Sequence, residues 1–162
     1  MRRYEFSFRG PIVEHDFGRM AYKAVFFPED VLRVLPMKQY PRLRIDAEIG
    51  GLFTNCGLMA AKQRRYILLS AAFMKQAALH CGQEIDVHFN IADQDAVEIP
   101  NDLEEAIDAS VSTRAAWDSL TPGRRRSFAY RVAAVVNPTI REQRILEVLE
   151  LISEHRRKLN GL

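Results

Sequence analysis

The residues with the clearest chemical potential are five arginines in the C-terminal part of the chain. Arg124 and Arg126 belong to a run of three arginines, and Arg131 follows seven residues after Arg124, so these two share nearly the same side of a helix. Arg141 and Arg144 lie three residues apart and also share a helical face. Guanidinium groups match the oxygens of phosphates and carboxylates. The spacing therefore predicts a ligand- or anion-binding surface.

A second interpretation of the same arginines is a solvated helix surface with local ion pairs. Arg144 and Glu147, three residues apart, form one candidate pair. If the two arginine-bearing helices form an antiparallel hairpin instead, both sets of arginines line one basic groove. The sequence leaves both interpretations open.

Metal-ligating residue types occur, but without the spacing that metal sites need. His80 and Cys81 are adjacent, His88 follows, and Cys56 lies 25 residues before Cys81. Structural zinc sites are usually built from closely spaced pairs such as CxxC, which are absent here. We expect Cys81 to be a small, buried apolar side chain, and we expect no metal site.

Two sets of carboxylates and histidine could in principle do acid–base chemistry. His15 and Asp16 are neighbours in an expected loop after the first strand, where adjacent side chains rarely face each other. Asp46 and Glu48 alternate with apolar residues, which is typical of the solvent-exposed face of a half-buried strand. The chain has no GxSxG, GxGxxG or GxxxxGK[ST] motif. We therefore expect no catalytic residue, no cofactor and no enzymatic activity.

The elements that position these residues change character near residue 92. Before it, apolar and polar residues alternate with a period of two, as in Ile85 to Ile91. Gly50-Gly51 predicts a hairpin turn followed by a single return strand, Leu52 to Met59, and Ser70 is a candidate helix cap. About six strands are expected, with turn signals between them, which is typical of a small closed or nearly closed barrel. The predicted barrel core contains Tyr4, Phe6, Phe8, Tyr22, Phe26 and Phe27.

The remainder of the chain is expected to be helical. Asn101 to Glu104 resembles a capping box, and a second short helix is expected over 112–120. Thr121-Pro122 and Asn137-Pro138 each combine a cap residue with proline at the first helical position. Apolar side chains recur at helical spacing in all four expected helices. The predicted tail core contains Leu103, Ala106, Ile107, Trp117, Leu120, Phe128, Val132, Val135, Ile145, Val148, Leu149 and Ile152.

Composition sets limits on the class of protein. The chain has 162 residues, of which 48% are hydrophobic, and its net charge is only +2. This excludes a disordered chain, and two cysteines are too few for a disulfide framework. No apolar stretch follows the N-terminal arginines, so we expect neither a secretory signal nor a membrane span. Free thiols fit a reducing compartment, and we expect a cytoplasmic protein.

Several motifs in the first part resemble the bacterial domain of unknown function 1905. They are Ile49-Gly50-Gly51, Cys56-Gly57-Leu58-Met59, Arg65-Tyr66-Ile67-Leu68-Leu69 and Gly82-Gln83-Glu84-Ile85-Asp86-Val87. This resemblance implies a small double-split β-barrel, similar in shape to the transition-state-regulator DNA-binding domains.

The tail resembles the YdeI/OmpD-associated family, also called bacteriocin-protection proteins. The similar segments are Val97-Glu98-Ile99-Pro100 with Leu103, Leu120-Thr121-Pro122-Gly123-Arg124-Arg125-Arg126, and Pro138, Arg141, Arg144 and Ile145. The resemblance implies a bacterial binding or interaction protein linked to stress or antimicrobial-peptide resistance. Its partner would be a protein, a peptide or a small anionic ligand.

Together these observations predict an α+β chain with a double-split-type β-barrel at 1–92 and a helical subdomain at 97–162. The predicted function is non-enzymatic binding through Arg124, Arg126, Arg131, Arg141 and Arg144. The alternative is nucleic-acid binding through the same arginine-rich helical face. The nearly neutral net charge argues against that alternative, because dedicated nucleic-acid binders usually carry a stronger basic excess.

Overall fold

The protein has an α+β architecture in which strands precede helices. A computed structural model describes residues 2–16 and 21–161; Met1, residues 17–20 in the region of the expected first loop, and Leu162 lie outside the described residues. The chain divides into two compact units, Met1–Gln94 and Asp95–Leu162, here called the β unit and the helical unit. Each has its own hydrophobic core. No described helix combines the length and apolarity that crossing a membrane requires.

The described strands of the β unit form two four-stranded antiparallel sheets. Two short helices interrupt the strands. The bounds are β1 Phe6–Pro11, β2 Val13–Asp16, β3 Ala21–Phe26, α1 Glu29–Arg33, β4 Arg44–Ile49, β5 Leu52–Gly57, β6 Met59–Ala61, β7 Arg64–Leu69, α2 Ala71–Gln76 and β8 Glu84–Ile91. Sheet 1 has the order β1-β8-β4-β5, and sheet 2 has the order β2-β3-β7-β6.

The strand count exceeds the expected six for identifiable reasons. The segment expected to be the loop that contains His15 and Asp16 is strand β2, in which these residues pair with Tyr22 and Ala21. The single return strand expected after Gly50-Gly51 is divided into β5 and β6. Closure into a double-split-type barrel stays a prediction, because the ladders seen within residues 2–16 and 21–161 join strands only within each sheet.

The core of the β unit lies between the inward faces of both sheets. Alternation places Ile45, Ala47 and Ile49 of β4 inward, and it does the same for Val87 and Phe89 of β8. Burial of such branched and aromatic side chains is the main stabilising contribution to a sheet of this kind. The polar residues between them remain on the outer face of sheet 1, where they are available for contacts with ligands.

The prediction that six aromatic residues form the core of the β unit is correct for only three of them. Phe8 and Phe27 are buried in the core, and Phe6 packs against it. The prediction is wrong for Tyr4, Tyr22 and Phe26. The register of β3 points Tyr22 and Phe26 away from the core, and Tyr4 precedes β1. Tyr22 is 38% exposed. Phe26 pairs with Tyr66 of β7 on the face opposite Val25, and Tyr4 bonds to a residue on the outer face of sheet 1.

Three of the four helices described in the helical unit start at a residue whose side chain caps the helix. Thr121 accepts a hydrogen bond from the backbone N–H of Arg124, and Asn137 accepts from those of Thr139 and Ile140. These side chains satisfy N–H groups that the helix itself leaves unpaired. The bounds are α3 Asn101–Asp108, α4 Val111–Asp118, α5 Pro122–Ala133 and α6 Pro138–Leu159.

The start of α3 differs from the expected capping box. Pro100 occupies the cap position and makes no side-chain cap hydrogen bond. The carboxylate of Asp102 instead binds a guanidinium from α6. The same carboxylate also accepts from the backbone N–H of Leu103 at 3.0 Å, so it has both a local and a distant partner. The core of the helical unit contains Leu103, Ile107, Ala116, Trp117, Leu120, Phe128, Ala129, Val132, Val148 and Ile152, and Ile145 and Leu149 pack against it. The prediction is wrong for Ala106 and Val135, which are half-buried outside this core; Val135 follows the end of α5.

Candidate functional site

Helix α5 concentrates positive charge on a short element. Its twelve residues include four arginines and no carboxylate. Burial of Phe128 and Val132 against the other helices fixes how α5 is rotated about its axis. Positions separated by three, four and seven residues share one side of a helix, so the opposite side must face solvent. The charge of α5 is therefore presented on a defined surface.

The exposed side of α5 carries Arg124, Ser127, Tyr130 and Arg131. Tyr130 is 72% exposed, which is high for an aromatic residue. The Arg124 guanidinium lies 5.7 Å from the centroid of the Phe128 ring, so its planar group rests beside the rim of the core. We call these four residues the α5 face. It combines two cations with an aromatic ring that can both pack and form a hydrogen bond.

Two other arginines of α5 are directed at backbone carbonyls of the same unit. The Nε atom of Arg125 donates to the carbonyl oxygen of Leu120 at 3.2 Å. The Nε atom of Arg126 donates to the carbonyl oxygen of Ala96 at 3.1 Å. These bonds tie the segment before α3 and the end of α4 to the first turns of α5. Arg126, although predicted as a ligand-binding residue, thus makes an internal contact.

Arg141 of α6 makes polar contacts with three residues of the helical unit. Its Nε and one terminal nitrogen donate to the two carboxylate oxygens of Asp102 in α3, at 2.6 and 3.0 Å. Its other terminal nitrogen donates to the carbonyl oxygens of Val132 and Val135, each at 3.0 Å. The bidentate pair matches the fork geometry that arginine and carboxylate favour. The hydrogen bond from Arg141 lowers the pKa of Asp102.

The structure gives the five predicted site residues different surroundings. Arg124 and Arg131 lie on the α5 face, Arg126 contacts a carbonyl, and Arg141 joins three helices. Arg144 pairs with Glu147 at 3.1 Å, which is the ion pair expected under the solvated-surface interpretation.

Sequence reasoning did not single out the exposed apolar residues next to these arginines. Val136, in the loop between α5 and α6, is 92% exposed, and Ile140 on α6 is 45% exposed. Tyr130 is likewise a large, exposed side chain next to the arginines. The sequence does indicate Tyr130 through its position, because it lies outside the apolar stripe of α5 that Phe128 and Val132 define. An aromatic or aliphatic side chain on the polar side of an amphipathic helix is a candidate contact residue.

The remaining sequence candidates have separate local environments. Asp46 accepts a hydrogen bond from Asn55 at 2.7 Å, and Glu48 accepts one from Tyr4 at 2.9 Å, so each carboxylate has its own partner. The His15 ring contacts Phe26 edge-on at 5.3 Å. Within residues 2–16 and 21–161, no group of three or more potential metal ligands converges. The expectation that Cys81 is buried is wrong, because this residue lies exposed in the turn before β8.

The β unit also contains two cavities that sequence reasoning did not anticipate. One, of about 290 Å³, adjoins the β4–β5 turn and the start of β8. The other, of about 130 Å³, is bordered by Cys56 of β5, Ile67 and Leu69 of β7, and Phe73 of α2. Burial raises the pKa of the Cys56 thiol to about 11, so this cysteine stays protonated at neutral pH.

Fold and site together define an α+β chain whose helical unit presents a basic, partly aromatic helix face. Residues 96–155 match the family model described as Bacteriocin-protection, YdeI or OmpD-Associated. The match lies entirely within the helical unit and includes α3, α4, α5 and most of α6. A comparison with curated proteins finds no match for this chain. The resemblance of the first part to the domain of unknown function 1905 stays a prediction.

Proposed function

We propose that this chain is a non-enzymatic binding protein that contributes to bacteriocin protection through its α5 face. The description of the matching family supports the biological setting. The observation that carries the binding proposal is the exposed pairing of Arg124 and Arg131 with Tyr130 on a helix that has no carboxylate of its own. Arginine and tyrosine are the residue types that contribute most to binding energy at protein interfaces.

The partner that fits this face best is an acidic segment of another protein. Carboxylates of such a segment would bind the two guanidinium groups, and its apolar side chains would cover Tyr130 and Val136. A small anion would use the arginines but leave both apolar side chains uncovered. Arg141 is not part of this contact surface, because its donors are engaged by Asp102 and by the end of α5. We place the protein in the cytoplasm, a compartment in which its two thiols stay reduced.

A survival assay tests the role. Bacteria that express the chain are exposed to a bacteriocin and compared with cells that express the triple variant Arg124→Ala, Tyr130→Ala, Arg131→Ala. We expect the wild-type chain to raise survival and the variant to lose that protection. The matched control is Arg33→Ala, which removes a 75% exposed arginine from α1 of the β unit. Equal protection by the wild-type chain and the triple variant would refute a role for the α5 face.

A photo-crosslinking experiment tests the contact directly. Benzoylphenylalanine replaces Tyr130 in one sample and Val34, which is 67% exposed on the β unit, in the control. We expect a protein adduct at position 130 that disappears when Arg124 and Arg131 are changed to alanine. An adduct that nuclease removes would favour nucleic acid over an acidic protein, and an adduct no stronger than at position 34 would contradict the proposed surface.

A further inference from the structure

The outer face of sheet 1 carries a built polar surface that the α5 face does not use. Because strand pairing fixes the register, Ser7, His88, Glu48 and Phe53 lie side by side across the four strands. Residues on one face of paired strands interact directly. This row is therefore a continuous surface that combines a hydroxyl, an imidazole, a carboxylate and an aromatic ring.

The chain's own N-terminal segment, residues 2–5, already lies across this surface. The Tyr4 hydroxyl donates to the Glu48 carboxylate at 2.9 Å, and its ring stacks on His88 with centroids 6.0 Å apart. The Arg2 guanidinium lies 4.1 Å from the centroid of the Phe53 ring. Partial burial and the hydrogen bond to Glu48 raise the pKa of Tyr4, in agreement with this close contact. The surface thus accommodates arginine and tyrosine side chains of a peptide segment.

Hydrogen bonds from its backbone hold the same segment against the sheet. The side-chain amide of Asn90 donates to the carbonyl oxygen of Arg3 at 2.9 Å and accepts from the backbone N–H of Glu5 at 2.7 Å. A side chain that bonds both groups of a peptide backbone recognises the main chain whatever its side chains are. The contacts on this face therefore include both main-chain and side-chain recognition.

The larger cavity continues this surface toward the β4–β5 turn. Glu48 and His88, which contact Tyr4, also line the cavity of about 290 Å³. Its other walls include Gly50 and Leu79, and a Cβ atom added at Gly50 would lie 3.0 Å from Leu79. The turn is therefore packed closely against the chain that follows α2. A closely packed wall means that the cavity is preformed in the absence of ligand, which lowers the entropic cost of binding.

The charge of the cavity specifies which ligand it fits. Of the described residues that line it, three carry carboxylates, namely Glu48, Glu84 and Asp86, and none is a lysine or an arginine. Asp86 pairs with Arg9 at 3.0 Å, whereas in the described part of the chain the Glu84 carboxylate has no hydrogen-bond or ion-pair partner. A concave surface lined by one sign of charge attracts the opposite charge more strongly than a flat surface does.

We propose that this cavity binds the side chain of an arginine or lysine in a cationic peptide that lies beside residues 2–5. The ammonium or guanidinium group would sit between Glu84 and Asp86, and the peptide backbone would continue along the outer face of sheet 1. The proposal concerns the β unit and does not depend on the α5 face. It assigns a second recognition surface of opposite charge to the same chain.

Nuclear magnetic resonance titration of the full chain tests the proposal. The probe is an acetylated tetra-arginine amide, and the control probe is the corresponding tetra-glutamate. We expect the amide signals of Gly50, Gly51, Glu84 and His88 to shift together with tetra-arginine and to stay in place with tetra-glutamate. Shifts confined to other residues, or no shifts at millimolar peptide, would overturn the proposal.

Two double variants with the same change in net charge decide whether the cavity is responsible. Glu84→Gln with Asp86→Asn removes two exposed carboxylates at the cavity, and Glu29→Gln with Asp30→Asn removes two from α1. We expect the first to weaken tetra-arginine binding about five- to ten-fold and the second to change it less than about two-fold. If both variants weaken binding equally, net charge alone explains the affinity, and the cavity site is excluded.

Discussion

Arg141 makes four hydrogen bonds, and together they connect three helices of the helical unit. Two go to the carboxylate of Asp102 in α3, and two go to carbonyl oxygens at the end of α5. Val132 lies in the last turn of α5 and Val135 lies just after its end, where helix carbonyls have few backbone N–H partners and polar side chains can bind them. A cation at the C-terminal end of a helix also interacts favourably with the helix dipole. Lysine could not reproduce this arrangement, because it lacks the planar fork.

The pairing of Asp102 with Arg141 predicts a specific pH dependence of stability. The pKa of Asp102 is lower in the folded protein than in the unfolded chain, because Arg141 donates to its charged form. Its contribution is therefore complete above the unfolded pKa of about 3.9 and is lost as the pH falls through the lower folded pKa. We expect Asp102→Asn to be less stable than wild type at pH 5–7, and the difference to shrink below about pH 4.

Urea unfolding at a series of pH values, followed by Trp117 emission, measures this difference. The control is Glu147→Gln, which removes the exposed partner of Arg144 and should change stability very little at any pH. A difference between wild type and Asp102→Asn that stays constant down to pH 2 would contradict the assignment.

The two cysteines should react at very different rates. Cys56 lies half-buried on the inner side of β5, and burial raises its pKa to about 11, whereas Cys81 is exposed. Only the thiolate attacks an alkylating reagent. At pH 8 we expect iodoacetamide to modify Cys81 at least about ten-fold faster than Cys56. Peptide mass spectrometry at timed intervals measures both rates, and comparable rates at the two sites would show that the Cys56 thiol is accessible and ionised.

At the scale of single elements, the ends of α2 show what local sequence can and cannot define. Ser70 caps the start, accepting from the backbone N–H of Phe73 at 3.1 Å, as its residue type predicts. The helix ends at Gln76, and Ala78 then adopts a left-handed conformation with φ of 54°. Glycine is the usual residue at such a position, so nothing in the local sequence indicates this ending.

The left-handed alanine after α2 predicts that an alanine-to-glycine substitution stabilises the protein at position 78 and destabilises it at position 72. Ala78→Gly removes the steric cost of a left-handed alanine, and we expect a gain of about 1 kcal/mol in the free energy of unfolding. Ala72→Gly, on the exposed surface of the same helix, should cost about 1 kcal/mol, because glycine loses more backbone freedom on folding. Denaturant unfolding of both variants measures the two effects. A destabilising effect of Ala78→Gly would show that the alanine side chain contributes contacts that outweigh the strain.

Other features of the fold also differ in whether neighbouring or distant residues cause them, and only those caused by neighbouring residues are predictable from local sequence. The glycine pair in the β4–β5 hairpin and the cap-proline pairs that begin α5 and α6 are predictable, because each depends on neighbouring residues. Strand β2 was not predicted, since its formation depends on pairing with β3. The role of Arg141 was not predictable either, because Asp102 lies 39 residues away in sequence. The α5 face was partly predictable, since helical spacing places Arg124 and Arg131 together.

At the scale of the whole chain, the nearly neutral net charge conceals surfaces of opposite sign. The chain carries 23 basic and 21 acidic side chains, which suggests little electrostatic preference. The basic α5 helix and the cavity lined by Glu84 and Asp86 nevertheless belong to different units. The electrostatic potential of each of these surfaces acts only locally, because salt screens exposed charges over about 8–10 Å. Net charge therefore argues less strongly against charged partners than composition alone implies.

The helical unit has the features of a segment that folds by itself. It contains its own core around Trp117, and three of its four helices begin with a side-chain cap. The chain has a single tryptophan, so indole emission reports on this unit alone. We expect a fragment of residues 95–162 to fold, with a cooperative thermal transition in Trp117 emission. Small domains have little reserve stability, so the transition should lie at a modest temperature.

A core variant distinguishes true folding of the fragment from residual helix. Ile107 is fully buried, and Ile107→Ala should cost about 2–5 kcal/mol by leaving a cavity next to Trp117. We expect this change to lower the transition of the fragment strongly or abolish it, and to lower the Trp117 transition of the full chain as well. The control Val111→Ala alters a 90% exposed side chain and should leave both transitions nearly unchanged. A fragment with the emission of a solvent-exposed indole and no cooperative transition would mean that the helical core forms only in the presence of residues 1–94.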